Sequence, residues 1–230
     1  MMKNSPTITV MFAYLLTIFS LVMVSSYVSP TNTTRLDKID TIKVIDTIKQ
    51  IDVKNKVSLF IGDSHTTNFK NGWQKILCDK TGMVCINSAM GGKTTYYMLD
   101  VAVLKLNKNI DYCFIYGGAN DMYSNSISPQ DAFDNIKSIS RLCNSHGIKC
   151  YILTGFDATK CTKTSNINYP KRYSKFQELL LTEKINGAKV IDTRIIERSD
   201  CWDNLCHMNP KGHKKIADKI IKDLNLKITQ

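Results

Sequence analysis

Two periodicities alternate along this chain. Short runs rich in β-branched and aromatic residues recur at Val57–Ile61, Met83–Ile86, Tyr112–Tyr116, Lys149–Thr154 and Lys189–Ile191, and stretches with helical spacing separate them. Ser128-Pro129 starts one helix, with a capping serine followed by proline at the first helical position. Asn209-Pro210 opens the last helix, where Ile216, Ala217, Ile220, Ile221 and Leu224 recur at helical spacing. Strands alternating with helices predict an α/β fold, a parallel sheet covered by helices on both faces. The longest irregular stretch, Phe156 to Pro170, follows the fourth strand. That places it on the face where open α/β sheets keep their sites. Long loops are often functional; shaping of substrate choice and plain solvation are both open for this one.

The first 55 residues follow neither pattern. No charge occurs between Lys3 and Arg35, and Thr9 to Val28 is almost continuously apolar. A helix of about 20 residues crosses a bilayer core, and the run is long for a signal-peptide core of about 7–15 residues. Residues 1–30 therefore read as a membrane anchor or, with Val24-Ser25-Ser26 as the cleavage site, a signal peptide. Either reading implies an exported domain, anchored or secreted. Positive charge flanks both ends, so orientation is poorly signalled. Asn32-Thr33-Thr34 is a glycosylation sequon. A hexapeptide repeat follows, Ile39-Asp40-Thr41-Ile42-Lys43-Val44 and then Ile45-Asp46-Thr47-Ile48-Lys49-Gln50. Isoleucine at every third position holds neither a helical face nor a strand face. Residues 31–55 thus read as a spacer, with a short coiled coil as the alternative, and 56–230 as the folded domain.

Candidate chemistry sits at the ends of the predicted strands. The first strand runs into Gly62-Asp63-Ser64-His65, which alone is a common turn. Three further blocks follow in order. Asn87-Ser88-Ala89-Met90-Gly91-Gly92-Lys93-Thr94 comes after the second strand, Gly117-Gly118-Ala119-Asn120-Asp121 after the third, and His207-Met208-Asn209-Pro210 opens the last helix. Together the four blocks resemble those of the SGNH hydrolases, the GDSL-type esterase and lipase superfamily, from about Val57 to the C-terminus.

That resemblance implies a three-layer α/β/α domain with five strands in flavodoxin-like order. It also implies Ser64 as nucleophile, Gly92 and Asn120 in the oxyanion hole with the Ser64 N–H, and His207 as general base. Gly92 is preferred to Gly91 because Asn87, Gly92 and Thr94 fit the family spacing; Ala89 replaces the usual first glycine. The last block departs further. The family places an aspartate three residues before the histidine, where this chain has Asn204, with Asp203 one residue earlier. Asp203 is the favoured orienting acid, through a one-residue bulge. A Ser–His dyad helped by a backbone carbonyl is the alternative, and Asp200 a less favoured substitute.

These residue types suit acyl chemistry. A serine hydroxyl needs a base within hydrogen-bond reach, and histidine titrates near neutrality. An acceptor at its other nitrogen fixes the tautomer, and N–H donors stabilise the tetrahedral oxyanion. Asp63 and Asp121 read as loop-shaping acceptors. His65, His146 and His213 read as structural.

Composition narrows the partners. The 230-residue chain carries a net charge of +11, mostly from lysine, with no basic block interleaved with aromatics. A soluble lysine-rich surface fits this better than nucleic-acid binding. Eight cysteines allow two or three disulfides. Cys78 and Cys85 flank one turn, Cys143 and Cys150 another, and Cys113 reads as a buried thiol. Cys201, Cys206, His207 and His213 hint at zinc, but no Cys-x-x-Cys accompanies them, so neither metal nor cofactor is expected. Gly91-Gly92-Lys93-Thr94 resembles the end of a phosphate-binding loop, but Asn87 stands where that motif needs glycine. Nothing in the pattern specifies an oligomeric state. The expected partner is a small-molecule or polysaccharide ester, foremost an O-acetylated carbohydrate. The alternatives are a lipid-type esterase, lysophospholipase or thioesterase, an acyl transferase using the same intermediate, and a catalytically inactive glycan-binding module.

Overall fold

A computed structural model describes residues 49–229, apart from 68–70, 161–164 and 203–206. The apolar run Thr9–Val28, the sequon, most of the hexapeptide repeat, Asp203, Asn204, Cys161 and Cys206 lie outside the described residues. Among those described, no helix is long and apolar enough to cross a membrane.

The strands are β1 (Val57–Gly62), β2 (Val84–Asn87), β3 (Tyr112–Tyr116), β4 (Lys149–Leu153) and β5 (Ala188–Ile191). All pair in parallel, in the order β2-β1-β3-β4-β5. Every residue of β3 and all but the first of β1 are buried, as expected of strands covered on both faces. β2 lies at an edge, with Val84 and Ile86 exposed. The helices are α1 (Ser64–Thr67), α2 (Trp73–Thr81), α3 (Thr95–Lys105), α4 (Ala119–Tyr123), α5 (Pro129–Ser145), α6 (Tyr169–Thr182) and α7 (Pro210–Asp223). This is the α/β/α architecture implied by the sequence. The chain leaves β1 toward β2 on one side and leaves its neighbour β3 toward β4 on the other, so the connections from these adjacent strands run in opposite directions at their carboxyl ends. Such a switch point opens a crevice in doubly wound sheets.

Local chemistry sets the boundaries. The Ser128 side chain accepts from the Asp131 N–H and Asp131 answers at the Ser128 N–H, a full capping box at the start of α5. Asn209 caps α7 by accepting from the N–H groups of Lys211 and Gly212. On α7, Ile216, Ala217, Ile220 and Ile221 are buried, as the periodicity predicts. The Phe156–Pro170 stretch holds a turn at Ala158–Lys160 and ends inside α6. Ile51 and Val53, at the tail of the repeat, join the domain. Ile51 donates to the Asn225 carbonyl at 2.8 Å and accepts from Lys227 at 2.9 Å, and Val53 is buried. Of the two cysteine pairs that flank turns, Cys78–Cys85 is a disulfide, while Cys143 and Cys150 are buried thiols, as is Cys113.

At the end of β1, Gly62 is hemmed in by backbone. A Cβ there would lie 2.5 Å from the Tyr116 carbonyl oxygen and 2.7 Å from Thr66 Oγ1. Gly62→Ala is therefore expected to cost about 1–3 kcal/mol, the range for overpacking a filled core, read as a lowered thermal midpoint. An unchanged midpoint would mean that the ends of β1 and β3 separate freely.

Candidate active site

Ser64 is the first residue of α1, directly beyond β1, so the strand delivers its hydroxyl to the carboxyl edge of the sheet. Its Oγ lies 2.8 Å from Nε2 of His207, which enters from the turn before α7, 143 residues away in sequence. Burial lowers the pKa of His207 below the usual 6.5, so the imidazole is neutral at neutral pH and can accept the serine proton. Asp203, the expected orienting acid, lies outside the described residues. Asp200, its possible substitute, is engaged elsewhere. Its carboxylate pairs with Lys215 at 2.5 Å and Lys211 at 3.4 Å and accepts the Glu197 N–H. Burial raises the pKa of Asp200, but these donors outweigh burial and hold it below 3.8.

Two loops face Ser64. In the loop after β2, an added Cβ on Gly91 would lie 3.7 Å from Ser64 Cβ, so Gly91 flanks the serine. Gly92 has φ +73° with nothing near its Cβ position, a backbone shape that suits glycine. Asn120, in α4 after β3, donates from Nδ2 to the Lys93 carbonyl at 3.0 Å. This bond joins the two loops and sets the amide beside the glycines. The Ser64 N–H heads a helix, where N–H groups lack intrahelical partners.

Several buried groups brace these loops. Both Asp121 oxygens accept from the Thr95 N–H at 3.0 Å, and one also accepts the Thr95 hydroxyl at 2.5 Å. Asn135 donates to that same hydroxyl from α5. Asn87 spans from β2 to α1, donating to the Thr66 carbonyl at 2.8 Å and accepting from the Ala89 N–H. Arg172, on α6, donates to the carbonyls of Met122, Ser124 and Ile127, closing the end of α4. Asn166 donates to the Tyr123 carbonyl at 2.7 Å, so the long loop after β4 leans on the Asn120 segment.

Behind His207 stands a column of rings. Its imidazole stacks on His65 at 5.2 Å, and His65 stacks in turn on Tyr116 at 5.2 Å. The sequence reading of His65 as structural missed this contact, because neither its spacing nor its place in the motif signals a long-range stack. Asp63 sits beneath, accepting the His65 N–H; burial, with a smaller contribution from the Asp121 charge, raises its carboxyl to about 7. His213 accepts from the Trp73 N–H at 3.3 Å and is likewise structural. Among the described residues no group of three or more His, Cys, Asp or Glu could hold a metal ion.

Residues 60–215 match the GDSL-like Lipase/Acylhydrolase family. The chain belongs to this family. It is an ester-hydrolysing enzyme by that membership, and all four sequence blocks fall within the matched span. A comparison with curated proteins finds no matching sequence. Solved structures with the same fold include a GDSL-like lipase from Bacteroides thetaiotaomicron, 16% identical with a TM-score of 0.62, covering 80% of this chain and 94% of its own. The acetyl xylan esterase AlAXEase is 19% identical, TM-score 0.59, covering 73% of this chain and 99% of its own. A catalytic mutant of Axe2, an acetylxylan esterase from Geobacillus stearothermophilus, is 13% identical, TM-score 0.59, covering 77% and 98%.

The ring column links the site to stability. Burial, then the neighbouring His207 and His213, lowers His65 from 6.5 to about 3. Between those values the unfolded chain binds a proton that the native chain does not. Stability from neutral His65 is thus complete above pH 6.5 and declines as pH falls toward 3. Replacing His65 with phenylalanine keeps a ring and removes the titration. Below pH 6.5, unfolding free energy in His65→Phe should fall less steeply than in the parent, by about 1.4 kcal/mol per pH unit. Parallel urea-unfolding curves at a series of pH values would contradict this.

Proposed function

We propose that this protein is a serine esterase that removes O-acetyl groups from a carbohydrate through an acyl-Ser64 intermediate. The observation that carries the reading is the 2.8 Å contact between Ser64 Oγ and His207 Nε2. In this mechanism His207 takes the serine proton as Oγ attacks the ester carbonyl, and the tetrahedral oxyanion faces the N–H groups of Ser64 and Gly92 and the Asn120 amide. His207 then protonates the departing alcohol. A water, deprotonated by the same imidazole, releases the acid from Ser64. Asp203 orients the imidazole.

Exposed aromatic rings near the site support the carbohydrate reading. Phe156, tilted against His65 at 5.1 Å, also lines a narrow crevice in which charged side chains (Asp157, Lys160, Glu197, Arg198) alternate with Ile196 and Cys201. Trp202 is exposed on a segment whose N–H donates to the His207 carbonyl at 2.9 Å, and Tyr123 is exposed one turn beyond Asn120. Flat exposed rings on the segments that carry His207 and Asn120 suit the apolar face of a sugar. Two structural neighbours are acetyl xylan esterases.

The deciding experiment compares p-nitrophenyl acetate hydrolysis by the full-length protein and its variants, followed by acetylated glycans against longer acyl esters. Ser64→Ala and His207→Ala are expected to abolish turnover with the fold intact. Asn120→Ala should lower kcat about 10²–10³-fold. Asp203→Ala should be severe and Asn204→Ala mild; the reverse pattern would assign the orienting role to Asn204. Turnover in Ser64→Ala equal to the parent would reject the mechanism, and a preference for long acyl chains would reject the carbohydrate.

The pH profile gives an independent check. His207 must be neutral to act as base, and burial lowers its pKa. The acidic limb of kcat/KM should therefore have its midpoint below 6.5, and a midpoint above that value would contradict the assignment of His207.

A further inference from the structure

Two turns of this fold are built alike. In the first, Cys78 lies near the end of α2, Gly82 follows four residues later in left-handed conformation (φ +72°), and Cys85 is the second residue of β2. In the second, Cys143 lies near the end of α5, Gly147 follows four residues later in the same conformation (φ +71°), and Cys150 is the second residue of β4. Both separations are seven residues. The residue after each glycine, Met83 or Ile148, is buried. Both cysteine carbonyls accept from the turn, through different donors: Cys78 O from the Gly82 N–H at 2.8 Å, and Cys143 O from the Ile148 N–H at 2.9 Å. The first turn is closed by the Cys78–Cys85 disulfide, with Cα atoms 6.4 Å apart.

We propose that Cys143 and Cys150 form a second disulfide, the counterpart of Cys78–Cys85, and that Cys113 remains a thiol beside it. The Cys143 thiol already meets both neighbours, Cys113 and Cys150. Cys113 is the cross-strand partner of Cys150 in the β3–β4 register. Packing alone thus leaves three pairings open, and chain geometry decides among them. Residues 143 and 150 are joined by one tight turn, whereas Cys113 is 30 residues from Cys143. The local loop closes at lower entropic cost. Cys143 and Cys150 are almost wholly buried in the native fold, so the bond has to form before the core closes.

The chemistry balances with a disulfide as oxidant, such as oxidised glutathione. The Cys143 thiolate attacks the glutathione disulfide, forming a mixed disulfide and releasing one glutathione thiol. The Cys150 thiolate then displaces the second glutathione, leaving the Cys143–Cys150 bond and two reduced glutathiones. The bond lies at the amino end of β4, opposite the edge that carries Ser64, so it anchors the scaffold and not the site.

Trypsin separates every cysteine involved. Cys143 falls on Leu142–Lys149, Cys150 on Cys150–Lys160 and Cys113 on Asn109–Lys137. The full-length protein is reduced and unfolded, refolded in a glutathione redox buffer, alkylated with iodoacetamide under denaturing conditions and digested. Molecules with Cys78–Cys85 closed are scored by mass spectrometry. The expected result is a Leu142–Lys149 peptide linked to Cys150–Lys160, with Cys113 alkylated. A Cys113→Ser variant should give the same link. Alkylation of both Cys143 and Cys150, a link from Cys143 to Cys113, or loss of the expected link in Cys113→Ser would each overturn the proposal.

Discussion

The buried carboxylate of Asp121 is the point on which the arrangement of the site depends. It follows Asn120 directly in the chain, yet both its oxygens are bound to Thr95, at the start of α3 and next to the Gly91-Gly92 loop. An uncompensated carboxylate in that position would be costly. The Thr95 N–H and hydroxyl, held by Asn135, supply the compensation. Two loops that leave different strands are thereby locked together, and the Asn120 amide bonded to the Lys93 carbonyl repeats the link a few ångströms away. Donors for an oxyanion have to be in place before charge develops. In the mechanism proposed above, this network is what would hold the Asn120 amide in place ahead of a substrate.

The sheet supplies the coarser positioning. β1 lies between β2 and β3, so the loops that follow these three strands open at one edge. Gly62 lets β1 approach the Tyr116 carbonyl closely enough for Ser64 to emerge beside the end of β3. α7 packs back on this face through its apolar stripe, and Asp200 ties the turn before it to Lys211 and Lys215. His207 is held where the turn meets the helix. The stacked column of His207, His65 and Tyr116 limits rotation of the imidazole from behind.

Much of this was legible in the chain. The β-rich runs fall within a residue or two of the observed strands; for the central strands β1, β3 and β4 the reason is that buried parallel strands must be almost continuously apolar. The starts at Ser128 and Asn209 were readable because capping is local: side chain and N–H groups lie within three residues of each other. The four blocks pointed to Ser64, Gly92, Asn120 and His207 as candidates because each sits at a strand end or just before a helix, where the motif is contiguous; of these, Ser64 and His207 meet in the structure. Asp63 and Asp121 were rightly read as acceptors that shape loops.

Sequence by itself determined the class of fold, the family and which residue types stand at the strand ends. Only the tertiary structure decided what meets across the chain. Ser64 and His207 come together over 143 residues. His65, a structural residue by its position in the motif, becomes the ring on which His207 stacks. Arg172, without any motif, closes the helix that carries Asn120 by binding its terminal carbonyls. Asp200, 15 residues from Lys215 in sequence, is captured by lysines and not by the imidazole. The physical reason is common to all four. Strand and cap signals are set by neighbours within a few residues, whereas stacking, carbonyl capture and ion pairing depend on distances that exist only once the sheet order has folded the chain back on itself.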